Sequence, residues 1–373
     1  MSGLYVHIPF CASRCVYCGF YSTTRHPLRD AYIRALCREM TLRRDFLPEG
    51  ERTLRTIYIG GGTPSQLTAD HFRQLFSSIH ATFDCRCEET TVELNPDDVT
   101  PSLAQALHQL GVDRVSMGAQ TFDDSRLRFL RRRHTAEQVR QAVATLRQAG
   151  FGNISLDLMF GFPGETADDW SRDIDAALAL GVEHISAYSL MYEEGTPLFR
   201  MLEQGRVAEI SDELSLQMYT LLTDRLEAAG YEHYEISNFA LPHRRALHNS
   251  SYWNDTPYLG IGAAAHSYNR QVRQWNVADV DAYIKALDAD RLPTEETERI
   301  GPATHYDDLV TTALRTREGL CLSLLTPAEQ AFLLDAARPH LRDGLLRQDA
   351  DHLALTRRGI YLSDRIMSDL MMV

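Results

Sequence analysis

The chain has 373 residues, 44% of them hydrophobic, and a formal net charge of −13. That length and apolar content suit one large globular domain with a smaller appendage, and the acidic balance argues against non-specific binding to a nucleic-acid backbone, which needs a basic surface. No apolar run reaches the roughly 18 residues of a membrane span, the start lacks a signal-peptide pattern, and seven cysteines in no regular framework point to a reducing, cytoplasmic setting.

The first predicted strand, Leu4 to Ile8, leads straight into Cys11, Cys15 and Cys18 at a Cys-x3-Cys-x2-Cys spacing. A loop this tight turns three thiolates towards one point, as a cubane iron–sulfur cluster requires, and leaves one iron with an open position. A zinc knuckle using His7 as fourth ligand is the rival, although the strand pattern sends Tyr5 and His7 to one side and Val6 and Ile8 to the other. Inert buried thiols are the third reading.

A helix is expected from about Asp30 to Phe46, then a strand from Arg55 to Ile59 ending in Gly60, Gly61, Gly62, Thr63 and Pro64. A glycine run at a strand end lets the backbone approach a ligand closely, or simply makes a tight turn. Thr68 is a plausible N-cap for a helix reaching Phe83. Strands follow at Thr90–Leu94, Val112–Met117, Ile154–Met159 and Val182–Leu190. Helices are expected at Pro101–Leu110, Asp123–Leu130, Thr135–Ala149 and Ala167–Leu180. Six strand–helix repeats in this order mean parallel strands joined by helical crossovers. Six units are too few to close an eight-stranded barrel, so the expected fold class is α/β, a partial, three-quarter (β/α)6 barrel.

Chemistry in such barrels collects at the carboxyl ends of the strands. Those tips carry Cys11, the glycine run, Glu93, Gln120 and Asp157, each of which, taken singly, suits an ordinary surface position as well as a site. Arg126, Arg128, Arg131, Arg132, Arg133 and His134 form a basic island, either a solvated helix end or an anion contact. Beyond a helix from Ser211 to Ala229 and a short strand at Tyr231–Ile236, the stretch 241–269 changes character. It holds His248, Asn249, Tyr252 and Trp253, a Gly/Ala run and His266. From Gly301 the pattern is helical with a late hairpin around Asp349–Asp351, a small winged-helix-like lobe. Cys37, Cys85, Cys87 and Cys321 read as structural.

The Cys-x3-Cys-x-Tyr-Cys loop with Tyr17 as its aromatic, together with the Gly-Gly-Thr-Pro element, resembles the radical-SAM superfamily. The span from Tyr5 to about Asn269 is similar to the coproporphyrinogen III dehydrogenase group within it. Where the true oxygen-independent coproporphyrinogen enzymes carry a further cysteine two residues after the third, this chain has Phe20, and it starts almost on the first strand where those enzymes have an extension. The His-Asn-x-x-Tyr-Trp motif at 248–253 resembles instead the HemW-type haem chaperones of the same family.

The resemblance implies a [4Fe–4S] cluster on Cys11, Cys15 and Cys18. It implies S-adenosylmethionine on the unique iron, contacted by Tyr5, Tyr17, Gly61, Gly62, Thr63, Glu93, Gln120, Arg132 and Asp157. His248, with Asn249, Tyr252 and Trp253 beside it, becomes a haem-linked group and a candidate axial donor, against the plain reading of a hydrogen-bonded interior histidine; His266 or a cysteine is the rival donor. The implied function is haem binding and transfer to acceptor haemoproteins, respiratory-chain proteins among them, without a catalytic residue of its own. The alternative is radical decarboxylation of coproporphyrinogen III. The expected division is 1–240 for the partial barrel, 241–300 for a connecting segment and 301–373 for the C-terminal lobe. Its open edge makes a homodimer plausible.

Overall fold

The computed structural model describes residues 2–372. Strands β1 (Ser2–Ile8), β2 (Leu54–Gly61), β3 (Cys85–Leu94), β4 (Arg114–Gln120), β5 (Ile154–Phe160) and β6 (His184–Ser189) pair in chain order, every pair parallel. The crossovers carry α1 (Arg29–Arg43), α2 (Ala69–Thr82), α3 (Pro101–Gln109), α4 (Asp124–Phe129), α5 (Ala136–Gln148) and α6 (Ala167–Ala179). Thr68, Thr100, Asp123, Thr135 and Thr166 cap α2 to α6 through their side chains, which satisfies amide donors that a helix start leaves open.

One parity of each strand is apolar. Leu4, Val6 and Ile8, then Ile57, Ile59, Val92, Val115, Met117, Ile154, Leu156 and Ile185, merge with helix residues such as Leu36, Phe72, Leu107, Val139 and Trp170 into the main core. The other parity is polar or aromatic: Tyr5 and His7, Thr56 and Tyr58, Thr91 and Glu93, Arg114 and Ser116, Ser155 and Asp157, His184 and Ser186. Because successive side chains point to opposite faces, this second set lines the face away from the helices.

Several predicted boundaries shift, the sixth strand to His184–Ser189 among them. The third strand starts at Cys85 rather than Thr90, with a register break opposite Leu54 and Thr56. The fourth starts at Arg114, because the Asp113 carboxylate accepts from the Thr90 amide at 3.0 Å and holds residues 112–113 in the turn. The first helix ends at Arg43, three residues short of Phe46.

After α7 (Pro197–Glu203) and α8 (Asp212–Ala228), the hairpin β7 (Glu232–Glu235) and β8 (Asn238–Ala240) extends the sheet antiparallel beyond β6. The stretch expected as a connecting segment supplies α9 (Leu247–Ser251) and then β9 (Tyr258–Ile261), which pairs parallel to β1 on its other side. Strands β10 (His266–Tyr268), β11 (Val272–Asn276) and β12 (Thr294–Arg299) continue antiparallel, with α10 (Val280–Asp288) between the last two. The twelve-stranded sheet is open: among the described residues its end strands β7 and β12 do not pair. The C-terminal lobe packs α11 (Pro302–Ala313), β13 (Leu320–Cys321), α12 (Pro327–Arg342), the hairpin β14 (Leu346–Asp349) and β15 (His352–Leu355), α13 (Arg357–Ile360) and α14 (Ser363–Leu370) around a separate core. The expected turn is there, with Ala350 at φ 48°.

A buried ion pair fastens the added strands to the first helix. Glu39, fully buried, meets Arg43 at 2.9 Å and accepts from the Gly262 amide at 2.9 Å, from Asn276 at 2.7 Å and from Tyr283. Removing one partner leaves the other charge stranded, at a cost of about 3–5 kcal/mol. Glu39→Ala is therefore expected to lower the unfolding free energy by about that amount; chemical denaturation checks it, and a loss no larger than that of an exposed glutamate variant refutes it.

Candidate functional site

The cysteine loop is pinned at its neck and its middle. Cys11 donates its amide to the Thr23 carbonyl at 2.9 Å, and Thr23 returns its own to Pro9 at 2.7 Å. Val16, within the cysteine loop, inserts into an apolar cluster with Leu130, Met159, Phe162, Leu190 and Leu198 from the fourth, fifth and sixth units. Its amide and carbonyl bond Leu130 and Leu198. So an apolar anchor faces inward while the three thiols stay half-buried around it.

Donors reach two of the sulfurs. The Thr63 hydroxyl lies 3.4 Å from Cys11 Sγ, and Arg132 Nη1 lies 3.7 Å from Cys15 Sγ. Burial raises the Cys11 and Cys18 thiols above their ordinary range, so a bound cation is what would deprotonate them. Three half-exposed thiols with hydroxyl and guanidinium donors fit the thiolate face of an iron–sulfur cluster. The zinc alternative loses its fourth ligand. His7 meets the Tyr5 hydroxyl through Nδ1 at 2.9 Å and the Tyr21 carbonyl through Nε2 at 3.1 Å. Among the described residues no three His, Cys, Asp or Glu side chains gather around a point that would hold one ion.

The neighbouring strand tips complete a polar rim. Glu93 accepts from the Tyr58 hydroxyl at 2.7 Å and the Gly61 amide at 3.0 Å, and burial lifts its carboxyl to about 7. Asp157, 3.4 Å from the Ser116 hydroxyl, is lifted by burial to about 6. Arg132 bridges the tips, donating to the Gly118 carbonyl at 2.7 Å and to Asn95 at 2.8 Å. Its Nε is buried without a partner. Gln120 sits at φ 66°, a left-handed backbone that a non-glycine residue adopts at a cost and that clusters at functional sites. Tyr17 is half-buried between the cysteines.

The glycine run has a packing reason as well. A Cβ on Gly61 would lie 2.5 Å from the His7 ring, and one on Gly62 2.8 Å from the Pro9 backbone. The basic island largely dissolves into ion pairs. Arg126 meets Glu165 and Asp169, and Arg133 meets Asp97 and Asp98. His134 meets the Ala119 carbonyl at 3.0 Å. Only Arg132 reaches towards the cysteines.

The haem-linked expectation lands elsewhere, at the opposite, amino end of the strands. His248 is 1% exposed; its Nδ1 meets Thr56 at 2.8 Å and its Nε2 meets Tyr252 at 2.9 Å. Its ring stacks on Tyr58 and lies against Gly3, while burial lowers its pKa to about 3. Both ring nitrogens are thus engaged within the protein. The motif thus plugs the barrel floor, and Glu89 receives the first amides of α9, from Leu247 at 2.8 Å and His248 at 3.0 Å. Asn249 stays in that short helix. Trp253 faces away, with the Arg315 guanidinium 5.0 Å from its ring centre. His266, the rival donor, is exposed and stacks on Trp275.

Sequence reasoning missed Arg114. It is 1% exposed in the middle of the inner face, 4.0 Å from Glu89, with Nε and Nη1 otherwise unpartnered. Its charge restrains the upward shifts of both Glu93 and Asp157. The signal was present: Arg114, Ser116 and Gly118 are the non-apolar parity of a strand whose other members are Val115, Met117 and Ala119.

Comparison with known proteins agrees with this arrangement. Residues 5–177 match the model of the radical SAM superfamily, and residues 302–362 match the HemN C-terminal domain. The heme chaperone HemW of Mycobacterium tuberculosis is 35% identical over 99% of this chain and 94% of its own. The heme chaperone HemW of Bacillus subtilis is 34% identical over 98% of both. The structure of coproporphyrinogen III oxidase (HemN) from Escherichia coli, a radical SAM enzyme, superposes with a TM-score of 0.85 at 22% identity, over 99% of this chain and 90% of that one.

A raised carboxyl makes the stability depend on pH. Between 4.5, the ordinary glutamate value, and about 7 the unfolded chain ionises Glu93 while the folded chain keeps it protonated. Stability is therefore full below that window and falls as pH rises through it. Glu93→Gln is expected to remove a component on the order of 2 kcal/mol from the wild-type decline; urea melts at pH 4.5, 6 and 7.5 check it, and parallel curves for the two proteins would refute it.

Proposed function

We propose for this chain, which belongs to the HemW family of the radical SAM superfamily, the function of a haem chaperone that binds haem and passes it to acceptor haemoproteins. The observation that carries this reading is similarity at 34–35% identity over nearly the whole of both chains to two bacterial heme chaperones. The coproporphyrinogen reading rests on fold alone, at 22% identity.

In this reading Cys11, Cys15 and Cys18 hold a [4Fe–4S] cluster, with Thr63 and Arg132 donating to its sulfur ligands. Gly61, Gly62, Glu93, Gln120 and Asp157, with Tyr5 and Tyr17 beside them, receive S-adenosylmethionine. When bound, that pair supplies one-electron reductive chemistry; here its role is structural or regulatory, governing dimerisation or acceptor docking. Arg132 ties the tips of the third and fourth strands to the cysteine loop, so filling the site and ordering the rim are one event. Glu93 and Asp157 provide the negative side of the pocket, and Val16 keeps the loop seated. His248 closes the floor and does not ligate iron. The acceptors are haemoproteins, respiratory-chain proteins among them, and the setting is the cytoplasm. No helix of the described residues is long and apolar enough to cross a membrane.

Anaerobically reconstituted protein titrated with haem is expected to give a saturable change in the haem Soret band at one haem per chain. It is expected to decarboxylate coproporphyrinogen III no faster than a Cys15→Ser variant. Absence of the Soret change, or turnover well above that variant, overturns the assignment. His248→Ala is expected to cost about 2–4 kcal/mol of stability, through a buried cavity and two orphaned hydroxyls. Below its melting temperature it is expected to leave the iron-ligation spectrum of bound haem unchanged; a changed axial-ligand signature would refute the floor assignment.

A further inference from the structure

A cleft of about 730 Å³ opens between the last strands of the body and the C-terminal lobe, far from the cysteine loop in the topology. Pockets for small ligands typically run from about 300 to 1,000 Å³. One wall is β7 with the end of α8. The other is the turn after α11, with β15 and α13. Backbone bonds zip the two together: the Ile236 amide reaches the Arg315 carbonyl at 3.1 Å and the Arg317 amide reaches the Tyr234 carbonyl at 3.0 Å.

The lining combines apolar side chains, among them Tyr231, Leu314 and Leu355, with Arg315, Arg317, Arg347 and Arg357. Its three glutamates are already engaged. Glu235 pairs with Arg315 at 3.5 Å and accepts from Asn238, Glu232 pairs with Arg245 at 3.1 Å, and Glu227 lies 3.9 Å from Arg357. Arg347 pairs with Asp349, and Arg357 also meets Asp224. Two guanidinium groups keep spare capacity. Arg317 has no ion pair among the described residues, and Arg315, its side chain 30% exposed, meets Glu235 through a single nitrogen at 3.5 Å. Arg315 is held in place by Trp253, whose ring lies under its guanidinium. The floor motif therefore ends in a residue that aims one of the cleft's cations.

Resting on the haem-chaperone reading, we propose that this cleft is the haem seat, taking the porphyrin plane between its apolar walls and the two propionates on Arg315 and Arg317. Two spare cations match two carboxylates, and Arg–carboxylate pairs are directional as well as strong. The lining offers no ready iron ligand. Its one imidazole, His233, stacks on Phe239 at 4.4 Å and lies 3.2 Å from the Ile236 carbonyl through Nε2. The iron is left open to a ligand from the acceptor, as a protein that must release its cargo requires. Recognition is then of the macrocycle and its carboxylates, with iron dispensable.

The test titrates the full-length, cluster-loaded protein with haem, with metal-free mesoporphyrin and with mesoporphyrin dimethyl ester. Arg317→Glu is the main variant, because that side chain is exposed and holds no ion pair among the described residues. Haem and mesoporphyrin are expected to bind the wild type within tenfold of each other, and Arg317→Glu is expected to weaken both by about tenfold or more. The dimethyl ester is expected to bind wild type and variant alike. Trp253→Leu is expected to weaken both dicarboxylates in the same direction, with cluster content unchanged. Wild-type haem binding that Arg317→Glu leaves intact overturns the cleft while the chaperone reading stands. A wild type that binds no haem overturns both, and tight haem binding with no binding of mesoporphyrin overturns recognition without iron.

Discussion

Strands covered on both faces ordinarily carry apolar residues on both, yet the inner parity of these six is polar. Polar groups sealed from water must find partners among themselves, and that requirement organises the body of the protein. The Tyr58 hydroxyl meets Glu93, His184 is held between Ser155 and Tyr234 at 2.7 Å each, and His248 is held between Thr56 and Tyr252. All but the His248–Tyr252 bond cross from one strand to another or from a strand to the floor. The register of the parallel ladder is therefore fixed by the interior as well as by the helix-covered core. Arg114 is the one charge in the middle of this set whose donors are left over.

At the carboxyl tips the same economy takes another form. At the glycine run, His7 and the Pro9 backbone occupy the space that side chains on Gly61 and Gly62 would need. The chain leaving β1 can then cross β2 and double back, with the Gly62 amide bonded to the Ile8 carbonyl at 2.8 Å. The cysteine loop is thrown over the rim by this crossing and held down by Val16. Close approach of backbone to backbone and close approach of backbone to a ligand thus ask for the same residue type at the same place. A Gly-Gly-Gly-Thr-Pro element after a strand is informative for both reasons.

The alternation that makes the barrel is written in short, β-branched, evenly spaced runs, so all six strands and their order were legible in the sequence. So were the tips, because glycine, cysteine and a terminal carboxylate interrupt those runs visibly. The pairing of β9 with β1 was not. Tyr258–Ile261 is four residues long, and its partner lies about 250 positions earlier, a long-range contact that local pattern does not encode. The surroundings of His248 were not legible either. A histidine flanked by Leu247 and Asn249 reads the same whether its ring is enclosed or facing a ligand, and Thr56, from a distant strand, encloses it together with Tyr252 of the same motif. Arg132 was found by its place after a strand, yet what distinguishes it from Arg131 and Arg133 is three-dimensional. Its neighbours turn to solvent and to Asp97 and Asp98, while it turns to Gly118 and Asn95.

The electrostatics of the rim then constrain what can bind there. Glu93 and Asp157, raised towards 7 and 6, resist ionisation in a closed interior, and Arg114 and Arg132 only partly offset the burial. A ligand bringing positive charge to the tips favours the ionised form of both carboxyls, so its binding near neutral pH expels protons, and the affinity rises with pH until both acids are ionised without it. An anion would push the other way, against two groups already short of solvation. The thiol side behaves alike: burial holds Cys11 and Cys18 protonated, and only a bound cation repays their deprotonation. Each acidic cluster therefore favours a cationic partner of its own, whereas a dianionic ligand is disfavoured at the rim. That asymmetry suits the rim to a cationic ligand, whereas the arginines of the lobe cleft are suited to carboxylates.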